Sequence, residues 1–256
     1  METPSDTWRL DTRHIGRHVL VYDSVASTND VAAALAADPA NAGTVVLAGQ
    51  QTAGRGQYGR VWQSRPGMSL LMSVILAPPE VLRRPVVLTA WAAVGVGEAI
   101  RTLTGVQARL KWPNDLLLHG KKVCGILIEQ GAGTVAGVGL NLNQSAVDFN
   151  EAGLPDATSL MLTSGAVMEP RAAAVAVIRR LDEEFDRLLA GEWVPLESDW
   201  KWRLGLLGRR VVAEMADGSA LGGRLRELSF DGIEIEVGES AIEVVRPEFV
   251  RQLRPG

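Results

Sequence analysis

The sequence predicts an α+β protein in two parts: a body, residues 1–205, in which helices flank a mixed, mainly antiparallel sheet, and a small β barrel over residues 206–256. Three observations predict it. Two long stretches repeat apolar residues at helical steps, Gln107 to Asn143 breaks into short β-type runs joined by turn residues, and after Gly208 the apolar period becomes two.

The N-terminal element is a short helix, Asn29 to Asp38, rich in alanine and leucine, with the Ser27-Thr28 hydroxyls placed to cap its free N–H groups and Pro39 beyond its end. Thr44 to Leu47 follows as a β-branched strand, and Gln51 to Gln63, with its glycines and arginines and neither apolar period, is a loop. Ser69 to Leu76 reads as a buried strand. Arg84 to Leu103 reads as a helix, with Pro85 at a natural first-turn position and Gly105 closing it. Between Gln107 and Asn143 lie three or four strands at hairpin spacings, broken by Pro-Asn-Asp, His-Gly-Lys-Lys and Gly-Ala-Gly. In the helix that starts at Pro170, Ala174, Ile178, Leu181, Phe185 and Leu188 share one face and Gly191 ends the run. A further helix covers Leu196 to Leu204, and Trp200 and Trp202 are expected at the junction with the tail. In the tail Ile233, Ile235 and Val237 alternate with Glu234 and Glu236, and Asp217-Gly218 and Asp231-Gly232 supply tight turns.

Composition bounds the function. With 256 residues, 46% hydrophobic and 22% charged, the chain can bury a sizeable core, which excludes wholesale disorder. Its 26 basic and 30 acidic side chains leave a formal charge of -4, so no overall positive field draws in nucleic acid or an anionic membrane. One cysteine, Cys124, forms no intramolecular disulfide, and with three histidines it does not assemble a four-ligand zinc site. A reducing, cytoplasmic setting is expected. The N-terminus lacks a signal-peptide pattern, and the longest apolar runs, such as Pro85 to Gly97, fall short of the ~20 residues a membrane span needs.

Three segments carry chemistry. The first is Gln51-Thr52-Ala53-Gly54-Arg55-Gly56-Gln57-Tyr58-Gly59-Arg60-Val61-Trp62. Its glycines allow close approach of a ligand, Arg55 and Arg60 can meet phosphate or carboxylate oxygens, and Trp62 can stack on a base or pack a lid. It is neither a Walker loop nor a dinucleotide fingerprint. The second is Lys111-Trp112-Pro113-Asn114-Asp115 followed by Lys121-Lys122-Val123-Cys124-Gly125-Ile126-Leu127, where Asn114 and Asp115 are available to a ligand or a metal ion and a lysine supplies a point charge. The third is Gly137-Val138-Gly139-Leu140-Asn141-Leu142-Asn143, whose glycines leave room on one side of a strand. Each alone also fits an ordinary loop, hairpin or packed strand.

In their order and spacing these segments, with Ser27-Thr28-Asn29 before them and Asp156-Ala157-Thr158-Ser159-Leu160 after, resemble the biotin protein ligases. The resemblance runs from about Ser27 to Leu160, and the β tail fits that family's small SH3-like domain. It implies a class II synthetase-like catalytic fold. It also implies a reaction in which biotin and ATP form biotinyl-5′-adenylate with release of pyrophosphate, after which a lysine of a biotin carboxyl carrier domain takes the biotin.

By resemblance, Ser27, Thr28, Asn29 and Gln51 line a biotin pocket, with Gly54 and Arg55 in the loop that closes over it and Gly125 and Leu127 giving backbone contacts. Arg55, Arg60 and Lys122 offset the charge of carboxylate and phosphates, and Lys122 also borders the biotin. Trp62 packs near adenine, Asn114 and Asn141 contact the nucleotide, and Asp115 orients or deprotonates the incoming lysine or organises Mg²⁺. The family loop usually reads Gly-Arg-Gly-Arg, and here Gln57 replaces the second arginine. Lipoate or octanoate attachment and a non-catalytic biotin-binding module are the alternatives. With 26 residues ahead of Ser27, an N-terminal DNA-binding module is not expected. The stretch from Thr134 to Asn143 is a candidate for pairing across a homodimer.

Overall fold

Pro85 opens a helix where its missing N–H has no partner to lose, and Gly105 ends it in the left-handed region at φ 73, its N–H bonded to the Arg101 carbonyl. The computed structural model describes residues 3–238 and 241–256. Along the chain run β1 (Asp6–Trp8), β2 (Val19–Val25), α1 (Thr28–Leu35), β3 (Val45–Gln51), β4 (Ser69–Leu76), α2 (Pro85–Thr104), β5 (Arg109–Lys111), β6 (Asp115–Leu118), β7 (Lys121–Gln130) and β8 (Thr134–Asn141). There follow α3 (Ala146–Glu151), α4 (Leu160–Ser164), α5 (Pro170–Leu189) and α6 (Trp193–Leu204), then β9 (Arg210–Met215), β10 (Ala220–Leu228), β11 (Ile233–Val237), β12 (Ala241–Val245) and β13 (Val250–Pro255).

The body's sheet has the order β1-β2-β3-β4-β8-β7-β6-β5, antiparallel throughout except for the parallel pair β2–β3. Strand alternation divides its side chains between two layers. Val45, Leu47, Leu70, Met72 and Val74 face α2 and α5, where Trp91 of α2 is fully buried and donates its indole N–H to the Leu181 carbonyl at 3.1 Å. Val46, Ala48, Ile75 and Val135 face α1 in a second, smaller cluster. With both faces covered, β4 is buried at every residue, which is why its sequence reads as a continuous apolar run.

The C-terminal strands form one antiparallel sheet in the order β12-β11-β10-β9-β13, consistent with the barrel-like tail. Body and tail share one apolar cluster. Trp200 lies between Trp112 and Phe230, with ring centroids at 5.8 and 5.2 Å, and the Trp112 indole N–H donates to the Val250 carbonyl at 2.9 Å. Arg84 pairs with Asp231 at 2.6 Å and Glu248 at 2.8 Å.

The structure corrects several expectations. The first helix is α1, Thr28–Leu35, and although Ser27 is its N-cap, no side-chain hydroxyl caps it, and Thr28 Oγ1 faces Gln51. β3 runs on to Gln51, because its parallel partner β2, absent from the sequence reading, extends the pairing to Val25. Trp202 is 53% exposed beneath Arg109, since it sits on the face of α6 opposite Trp200. The segment from Thr134 offers no free edge for a dimer: β8 is hydrogen-bonded on one side to β4 and on the other to β7. α2 is long and apolar enough to cross a membrane by length and composition, yet it is the core helix here.

Candidate active site

On the α1 side of the sheet the helix covers only part of the surface, and the rest is the floor of a cavity of about 970 Å³. At one end, Ser27, Thr28 and Asn29 are buried at the start of α1. Gln51 Oε1 accepts from the Thr28 backbone N–H at 2.7 Å and lies 2.9 Å from Thr28 Oγ1. Ser73 Oγ, on β4, lies 2.7 Å from Thr28 Oγ1 and 2.5 Å from Asn29 Oδ1. Gly137 must lack a side chain here, since a Cβ would meet Asn29 Oδ1 at 2.4 Å.

The glycine loop is folded back on itself. The Trp62 N–H donates to the Gly54 carbonyl at 2.9 Å, the Gly56 N–H to the Arg60 carbonyl at 2.7 Å, and Tyr58 takes a positive φ of 58 at the tip. This hairpin lays the Trp62 indole over β7 and β8, where a Cβ on Gly139 would come within 2.6 Å of the ring and one on Gly125 within 3.1 Å. The two glycines form the flat floor on which the indole itself lies. The Trp62 ring nitrogen is buried there without a hydrogen-bond partner among the described residues, as is Gln57 Oε1.

Lys122 Nζ is 2.6 Å from Asp115 Oδ1 and 5.7 Å from the centre of the Trp62 ring. Asn114 Nδ2 donates to the Ile126 carbonyl at 2.5 Å, and Asn141 Nδ2 to the Thr158 carbonyl at 3.0 Å, so both amides hold neighbouring backbone while bordering the cavity. Backbone bonds from Lys122 N–H to the Asp156 carbonyl and from Thr158 N–H to the Lys122 carbonyl seat the Asp156–Thr158 stretch beside the lysine. Cys124, next to it, is fully buried, and burial pushes its thiol pKa far up, so it is no nucleophile.

Of the residues picked out by sequence, Ser27, Thr28, Asn29, Gln51, Arg55, Arg60, Trp62, Asn114, Asp115, Lys122, Gly125, Leu127 and Asn141 line this one cavity. Gly54 does not: it lies behind the loop, where a Cβ would strike the Trp62 carbonyl oxygen at 2.5 Å. Sequence reasoning missed Ser73, Glu129, Asp30 and, from the tail, Arg251, whose guanidinium lies 4.7 Å from the Tyr58 ring centre. A charged residue closing the apolar run of β7 was the one legible sign of Glu129.

Opposite charges meet in the cavity wall. Arg55 is engaged by Glu129 and Asp30, Arg65 by Asp148 and Glu151, and Lys122 by Asp115. Arg60 forms no ion pair among the described residues and is open to an anion. No group of three or more His, Cys, Asp or Glu among the described residues could hold a metal ion. A cation at Asp115 would meet a single carboxylate already paired with Lys122. Chemically, the cavity combines a polar end for paired hydrogen bonds, an indole seated on a glycine floor and cationic groups beside both.

Comparison with known proteins agrees with this geometry. A sequence profile of the biotin/lipoate A/B protein ligase family matches residues 21–144. The bifunctional ligase/repressor BirA of Bacillus spizizenii is 34% identical over 220 residues, 83% of this chain and 67% of its own length. The biotin–[acetyl-CoA-carboxylase] ligase of Mycobacterium tuberculosis is 31% identical over 265 residues, covering 98% of this chain and 97% of that protein. Among solved structures, the biotin protein ligase of Aquifex aeolicus in complex with biotin and ATP superposes with a TM-score of 0.76 at 28% identity, covering 93% of this chain and 99% of that one.

Proposed function

The chain belongs to the biotin protein ligases of the biotin/lipoate A/B protein ligase family, and from that membership we propose how its own residues divide the reaction. It activates biotin with ATP to biotinyl-5′-adenylate. A biotin carboxylate oxygen attacks the α-phosphorus, the bond from that phosphorus to the bridging oxygen breaks, and pyrophosphate leaves with the electron pair. A lysine amine of a biotin carboxyl carrier domain then attacks the acyl carbon, and AMP departs.

The observation that carries this division is a polar pocket and a cationic wall on one glycine floor. Biotin's ureido ring needs donors and acceptors in pairs; Ser27, Thr28, Asn29 and Gln51 supply them, with Gln51 Nε2 left to donate while its oxygen is held by Thr28. Gly125 and Leu127 pass beneath the ligand as backbone. Arg60 and Lys122 sit where carboxylate and phosphates must be forced together, a placement most effective where water is excluded. Trp62 offers the adenine the ring face turned away from the glycine floor, and Asn114 and Asn141 border the nucleotide. Mg²⁺ carried on the triphosphate would offset its charge, with the Asp115 carboxylate as the protein group placed to meet it. Asp115, tied to Lys122, is placed to orient the carrier lysine and take its proton. A cytoplasmic setting belongs to the same reading.

ATP–pyrophosphate exchange with Mg²⁺ and either biotin, lipoate, octanoate or no acid tests the adenylation step without a carrier. Exchange dependent on biotin is expected. Dependence on lipoate would move the protein to the neighbouring branch, and no exchange from folded protein would leave a binding module.

A further inference from the structure

Arg55 faces more negative charge than it can neutralise. Its Nε donates to Glu129 Oε1 at 3.0 Å, and its Nη2 donates to Glu129 Oε2 at 3.1 Å and to Asp30 Oδ1 at 2.6 Å. The two carboxylates, Asp30 foremost, raise its pKa further. One guanidinium against two carboxylates leaves a net negative cluster, so an incoming anion meets no free charge there. Glu129 also accepts from Asn29 Nδ2 at 2.6 Å, and because a carboxylate only accepts, it sets the orientation of that amide and turns Asn29 Oδ1 toward Ser73. A continuous chain of hydrogen bonds thus joins the glycine loop, through Arg55, Glu129, Asn29, Ser73 and Thr28, to Gln51, with the Ser73 hydroxyl donating to Asn29 Oδ1, the Thr28 hydroxyl to Ser73 Oγ and the Thr28 backbone N–H to Gln51 Oε1.

We infer that Glu129, assisted by Asp30, is a positioning residue that ties the 54–62 hairpin down over the pocket, and that Arg55 is the tether it holds and not a receptor for substrate charge. The hairpin carries the effect to the ligand. Arg55 bridges Val61, and Gly54 holds the Trp62 N–H, so fixing Arg55 fixes the indole over Gly125 and Gly139. The planar guanidinium suits this task, since it grips both oxygens of one carboxylate while reaching a second, which an ammonium does not do. The inference rests on the adenylate reading above, because it assigns the loop a ligand to retain.

The test is the release of labelled biotinyl-adenylate, formed in place from biotin and MgATP, on rapid dilution of wild type, Glu129→Gln, Asp30→Ala, Arg55→Ala and the Arg55→Ala/Glu129→Gln double variant. A tether predicts that Glu129→Gln releases adenylate about fivefold faster or more, and Asp30→Ala about twofold faster, since that carboxylate is 53% exposed. The double variant should be no faster than Arg55→Ala alone. A receptor role predicts the reverse: removing the competing charge frees the guanidinium, and Glu129→Gln releases adenylate at the wild-type rate or slower, which overturns the inference. Poor folding would lower the amount of adenylate bound but not the rate constant of the bound fraction. Wild type that retains no adenylate overturns the adenylate reading and this inference with it, whereas retention by wild type with unchanged variants overturns the tether alone.

Discussion

Gln57 stands in the cavity wall with its side-chain oxygen buried and without a partner among the described residues, at the loop position where the ligases this chain resembles usually carry arginine. An amide offers one hydrogen bond and no charge where a guanidinium offers a fork and a full positive charge. Gln57→Arg should therefore slow loss of bound biotinyl-adenylate, by about threefold to tenfold on the strength of one charge-assisted hydrogen bond; equal rates by rapid dilution would remove the argument. Cys124 gives a second expectation. Burial raises its pKa, so at pH 8 the thiolate is scarcely populated and iodoacetamide should leave the folded protein unlabelled, with labelling appearing only as denaturant unfolds it. Residues inside compact motifs were legible because their chemistry is local to the segment. Glu129, Asp30 and Ser73 were not, because their roles come from partners 25 to 100 positions away, as in the Asn29–Glu129 bond.

β4 was legible as a continuous apolar run, and α2 and α5 by apolar residues at helical steps and a proline start. β2 was not: its Asp23-Ser24 stretch is exposed and breaks the alternation, and its parallel pairing with β3 crosses a whole helix. The short helix α3 is set by a capping box between Ser145 and Asp148, too brief a segment for periodicity to register. Among the strands, β8 carries the most pointed prediction. Gly137 and Gly139 face the cavity, and the second lies under the Trp62 ring. Gly139→Ala should displace the indole and lower biotin-dependent exchange about tenfold or more, since small misplacements at a reacting centre are costly, while unfolding free energy changes by about 1 kcal/mol. Exchange that survives while stability collapses would assign the glycine to packing instead.

At the scale of the whole molecule, the tail is coupled to the chemistry and not appended to it. Trp112 belongs to the segment that carries Asn114 and Asp115, yet its indole N–H is spent on the Val250 carbonyl and its ring lies against Trp200. Arg84, the N-cap of the core helix, reaches Asp231 and Glu248 of the tail, and Arg251 and Gln252 stand in the cavity wall. An interface with a shared apolar cluster resists independent motion. Body and tail should then unfold together in urea, with tryptophan emission and far-UV circular dichroism tracing one transition. Trp200→Ala opens a cavity at the centre of that interface, where the wild-type ring is 1% exposed. It should cost about 3–5 kcal/mol of stability and split the transition in two, the tail melting first. It should also weaken exchange by loosening the Trp112 segment. Two transitions in the wild-type protein, or a Trp200→Ala variant that unfolds as one unit with undiminished exchange, would mean that the tail rests against the body without holding the site in place.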